Sequence, residues 1–66
     1  MIKVGNILEA RYSHRCGIAG HPLATVSIEV GTIVEVVKVR GKNYVLEICK
    51  SGTKIETNGL SNWLVC

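Results

Sequence analysis

His14, Cys16 and His21 fall within eight residues of one another, and Cys49 or Cys66 would complete four ligands for a tetrahedral zinc ion. A structural zinc site needs two closely spaced ligand pairs, whereas this chain offers one loose cluster. Two loop histidines and a partly buried thiol are the plainer reading. Cys16 also follows Arg15 and lies near His14, the setting that lowers a thiol pKa and makes a nucleophile, but no third group stands ready to orient the pair. Asp is absent and the five Glu are scattered one to a predicted strand, so no two carboxylates are placed for acid and base roles. No glycine-rich phosphate cradle, HExxH helix or triad order occurs. The residues therefore predict no enzyme, no metal and no cofactor.

Cations gather at one place. Lys38, Arg40 and Lys42 precede Tyr44, and a basic tip beside an aromatic ring suits single-stranded nucleic acid through phosphate pairing and base stacking. The same residues also make an ordinary solubilising hairpin tip that discourages edge-to-edge pairing. Eight Lys and Arg against five Glu give a formal charge of +3, weaker than the field of a dedicated nucleic-acid module.

The elements that must position these groups are strands. Of 66 residues, 20 are Val, Ile or Thr, against three Ala and five Leu, a balance that suits a pleated surface and not a helix. So short a chain makes one domain, residues 1–66. Asn6 to Tyr12 alternates as a first strand, and Ser13 to Leu23, with Gly17, Gly20 and Pro22, reads as a long loop. Ala24 to Val30 alternates again. Ile33 to Val39 is apolar on both faces, Tyr44 to Cys49 returns after Arg40-Gly41-Lys42-Asn43, and Lys54 to Thr57 completes a meander. Leu60 to Val65 closes the chain with Trp63, its one Trp.

Strands this short and numerous are expected to close into a five-stranded barrel, two small antiparallel sheets packed orthogonally. Ala10-Arg11-Tyr12, then Val26 to Val36 around Gly31-Thr32, then Gly59-Leu60-Ser61-Asn62-Trp63-Leu64-Val65 resemble the Src-homology-3 fold: an Ala-x-Tyr strand, a long first loop, a diverging turn, a meander and a Ser-Asn-Tyr-Val ending. The resemblance implies that Val26, Ile28, Val34 and Val36 point inward. It also implies a peptide groove, and Tyr12 and Trp63 fall where groove aromatics would sit. His14 replaces the second tyrosine, Leu60 stands near the proline position, Asn43-Tyr44 replaces a tryptophan pair, and the loop has no acidic residue. Proline-motif binding is therefore not expected. The same barrel shape serves ribosomal, transcription and chromatin modules of the KOW and Sm-like kind, so fold does not choose the function.

With Val34 and Val36 inward, period 2 sends Ile33, Glu35, Val37 and Val39 outward, continuing from Val30. Either the loop covers that stripe or a partner or second copy does. The expected function is a protein-binding module, an accessory or inhibitor of a larger protein, using His14, Arg15, His21, Ile33, Val37, Val39, Arg40 and Tyr44. Nucleic-acid binding through Lys38, Arg40, Lys42 and Tyr44 is the alternative. The charges at Lys3, Glu9 and Arg11 leave no apolar signal core near the start, and no run of 18 apolar residues occurs. Three cysteines without a CxxC pair predict reduced thiols and a cytosolic protein, and the chain reads as a complete small gene product.

Overall fold

The computed structural model describes residues 2–66, and for Pro22 the backbone alone. Seven strands form one antiparallel sheet: β1 (Ile7–Ala10), β2 (His14–Ile18), β3 (His21–Ile28), β4 (Ile33–Arg40), β5 (Asn43–Ile48), β6 (Lys54–Thr57) and β7 (Trp63–Val65). Their spatial order is β3-β2-β6-β5-β4-β1-β7, so the sheet is unclosed and ends in β3 on one side and β7 on the other. Five strands were expected where seven exist. No helix long and apolar enough to cross a membrane occurs among the described residues.

Six of the seven match segments read as strands, and the additional one, β2, lies in the segment read as a loop. Residues 14–18 and 21–28 pair as a hairpin, with Cys16 opposite Val26 and Gly17 opposite Thr25, and β2 also pairs with β6 through Gly17–Glu56 and Ile18–Ile55. Gly20, at φ +81, makes the reversal between the two arms, a backbone conformation that side chains with a Cβ resist. The register then jumps between Gly17 and Ile18, leaving residues 22–24 without cross-strand partners, and Leu23 stands 99% exposed.

The meander is as expected. β4 pairs with β5 and β5 with β6, and this central group carries the core through Val34, Val36, Leu46, Ile48 and Ile55. Leu8, Ala10, Cys16, Ile28 and Trp63 complete the buried cluster, against which Ile2, Val26, Tyr44 and Leu60 pack. Of the four residues expected inside, Ile28, Val34 and Val36 are buried and Val26 is half-buried.

One irregularity changes which side chains share a face. Val36 pairs with Leu46 but Lys38 pairs with Val45, so Val37 is an extra, bulged residue. Without the bulge, period 2 would turn Lys38 toward the core, where an unpaired ammonium is costly. With it, Lys38 stays on the outer face and Val39 turns to the face of Tyr44 and Leu46. The outward stripe Ile33, Glu35, Val37, Val39 is thus interrupted: Ile33 and Glu35 face out, Val37 is the half-buried bulge, and Val39 faces inward at the rim.

The smallest dimension of the molecule is 20 Å, about twice the ~10 Å separation of face-to-face sheets. The sheet therefore curls back over its own core, and it does so without joining its edges.

Candidate functional site

The turn between β3 and β4 is where the curled sheet opens. Thr32 N–H donates to the Glu29 carbonyl at 3.0 Å and its hydroxyl to the same oxygen at 2.6 Å, which closes the turn. Gly31, at φ +89, supplies the left-handed residue, and its N–H donates to the Ala10 carbonyl at 3.0 Å. Ala10 N–H donates in return to the Thr32 carbonyl at 2.9 Å, so two reciprocal backbone bonds tie the turn to β1.

Between this turn and the one after β5 lies a groove of about 930 Å³. Val26, Ile28 and Val30 line it from β3 and its continuation, Ile33 from the head of β4, and Ile48 and Cys49 from the end of β5. Glu29 and Lys50 stand at its sides. Val30 is 62% and Ile33 39% exposed, so the wall is aliphatic and open to water. The chain's own hairpin does not cover it.

A second, polar pocket of about 500 Å³ is lined by Arg15, Cys16, Gly17, Ile18 and His21 from the β2–β3 hairpin, Asn43 from the β4–β5 tip, and Glu56, Thr57, Asn58 and Asn62. Of the basic tip only Asn43 borders this pocket; Lys38, Arg40 and Lys42 are exposed and do not line it. Tyr44, just beyond the tip, is half-buried and packs against the core.

The other expected site residues are divided. Ile33 is in the apolar groove; Val39 and Arg40 sit at the opposite end of the eight-residue β4, about 20 Å away at ~3.3 Å per residue. His14 is half-buried at the start of β2 and not in a loop. Its ring lies 5.2 Å from Trp63 at 85°, edge to face, and 6.3 Å from Tyr12 at 78°. Its Nδ1 is 2.7 Å from the Tyr12 carbonyl, so Nδ1 carries the proton and donates it there. Nε2 is buried without a partner, as is Nε1 of Trp63.

Cys16 is buried, and removal from water pushes its thiol above the ordinary range, the opposite of an activated nucleophile. Cys49 and Cys66 are exposed free thiols. Among the described residues no three His, Cys, Asp or Glu side chains gather as metal ligands.

The outward stripe that starts at Ile33 and is preceded by Val30 across the Gly31-Thr32 turn was legible in the sequence. Sequence reading missed Ile48 and Cys49, which reach the groove only because β5 ends where β3 opens. Comparison with protein-family models, with curated proteins and with solved structures found no match to this chain.

Proposed function

We propose that this chain is a non-enzymatic binding module that docks another protein in the aliphatic groove along the end of β3, the head of β4 and the end of β5. The observation that carries this reading is the exposure of Val30 and Ile33, 62% and 39%, on either side of a turn bonded to β1 and beside the half-buried Val26. Apolar surface held open in this way gains about 25 cal/mol per Å² when a partner covers it. An accessory or inhibitor that acts by occupying the surface of a larger protein fits a module of this size. The order of elements supports a Src-homology-3-like barrel: a strand, a hairpin, a glycine turn, a three-strand meander and a short last strand.

The test is affinity capture from the native cell with nuclease treatment, repeated with two double variants. Val30→Glu with Ile33→Glu should lower partner recovery about tenfold, because truncating or charging a central apolar anchor removes most of the binding energy. Arg40→Glu with Lys42→Glu should slow association and leave dissociation nearly unchanged. Loss of the partner on nuclease treatment would contradict protein docking.

A second reading rests on the exposed cations of the β4–β5 tip, Lys38, Arg40 and Lys42, as contacts for a phosphodiester backbone, with Arg15 and His21 lining a polar pocket that Asn43 borders and Glu56 shares. It requires binding to single-stranded DNA or RNA whose logarithm falls linearly with the logarithm of salt, and loss of that binding in the Arg40, Lys42 double variant.

A further inference from the structure

The two edges of the sheet differ in kind. β7 is three residues long, short enough to offer little template for pairing. β3 is eight residues long, has among the described residues a hydrogen-bonded neighbour on the β2 side alone, and its sequence HPLATVSI contains no Lys, Arg, Asp or Glu. Natural edge strands are blunted by charge, bulge or brevity. Beyond the register jump at residues 22–24, the four residues from Thr25 to Ile28 carry neither charge nor bulge, and the fully exposed Leu23 stands at their head.

The two faces of this edge are chemically distinct. On the outer face, Arg15 reaches across from β2, donating from Nη2 to Thr25 Oγ1 at 3.0 Å and from Nη1 to Ser27 Oγ at 3.4 Å. That places an exposed guanidinium over the edge itself, with the rest of its five-donor fork turned to solvent. On the inner face, Val26 and Ile28 lead into the aliphatic groove.

We infer that β3 is completed by an added strand from a partner protein, an extended segment that alternates carboxylate and aliphatic side chains. This deepens the groove reading and rests on it. Main-chain bonds to the β3 edge supply affinity, and side-chain alternation supplies specificity. The carboxylates lie on the face of Thr25 and Ser27, where Arg15 pairs with them by charge-assisted hydrogen bonds. The aliphatic residues point into the groove beside Val26, Val30 and Ile33. A second copy of this chain is disfavoured, because two-fold pairing of β3 would bring two Arg15 guanidinium groups together on one face, with Glu29, one residue past the strand, the nearest carboxylate to offset them.

The test uses two blocked hexapeptides, Glu-Val-Glu-Ile-Glu-Val and Lys-Val-Lys-Ile-Lys-Val, with fluorescence anisotropy for affinity and amide hydrogen exchange for location. The acidic peptide should bind and slow exchange along residues 23–28. Arg15→Glu should weaken it about tenfold or more and reverse the preference toward the lysine peptide, while Arg15→Gln should remove the preference without reversing it. Thermal unfolding confirms that each variant folds. Equal binding of the two peptides, unchanged exchange at residues 23–28, or a β3-protected dimer without peptide would overturn the inference.

The two readings also fail separately. If Val30→Glu releases the captured protein and Arg15→Glu does not, the groove stands and the added strand falls. If Arg15→Glu weakens the acidic peptide while Val30→Glu changes neither peptide nor protein binding, the groove falls and the edge stands.

Discussion

Cys16 shows how burial decides the chemistry of a residue whose neighbours suggest otherwise. Arg15 precedes it, yet the Arg15 guanidinium is bound to Thr25 and Ser27 on the other face of the sheet, and desolvation leaves the thiol harder to ionise. A disulfide-exchange reagent at pH 8 should modify Cys49 and Cys66 quickly and Cys16 only as fast as the protein opens; three equally fast thiols would contradict that placement. Linkage gives the pH sense. The folded thiol holds its proton above the pH at which the unfolded one loses it, so the stabilisation is complete below the unfolded pKa. It is lost as pH rises from the unfolded value toward the folded one. Denaturant midpoints should therefore fall on the alkaline side, and Cys16→Ser should flatten that slope. His14 is a packing residue in the same sense. Its Tyr12 bond and its edge contact with Trp63 together contribute about 1–3 kcal/mol, which urea unfolding of His14→Ala, followed by the emission of the 5% exposed Trp63, would measure.

At the scale of elements, the meander was legible because Tyr44 to Ile48 and Lys54 to Thr57 are short β-rich runs bounded by glycine turns. β2 was not legible. Its inward positions hold His14 and Cys16, which do not register as an apolar face, and its outward positions include Gly17. Nothing local marks the Val37 bulge either: Val36-Val37 reads equally well with either residue inward, and only the need to keep Lys38 in water selects the register. The groove was half legible for a related reason. Val30 and Ile33 are neighbours in sequence, whereas Ile48 and Cys49 arrive by tertiary approach. The turn that shapes it is open to a direct check. Gly31→Ala forces a Cβ onto φ +89, and although nothing lies within 4 Å of that atom, backbone strain alone should cost about 1 kcal/mol or more. A fall in Tm of about 4–8 °C per kcal/mol is expected for a chain of this size; no fall would mean the turn relaxes freely.

The whole molecule is a curled sheet with too few residues to bury every aliphatic side chain. Its total stability is expected at about 3–10 kcal/mol from the per-residue range, so removing one central group matters. Leu46→Ala empties a fully buried position between Val36 and Ile55 and should cost about 2–5 kcal/mol, enough to leave a large unfolded fraction at 37 °C by circular dichroism. Aliphatic side chains stay exposed at several places, Val4, Ile7, Leu64 and Val65 among them, but Val30 and Ile33 share one groove and Leu23 heads the β3 edge beside it, and these are the ones we propose a protein covers. Amide hydrogen exchange of the chain alone and saturated with its captured protein tests this most directly. Slowed exchange at residues 23–33 and 48–51, with the basic tip unchanged, is the predicted result; slowing confined to residues 38–44 and 57–62 would contradict it.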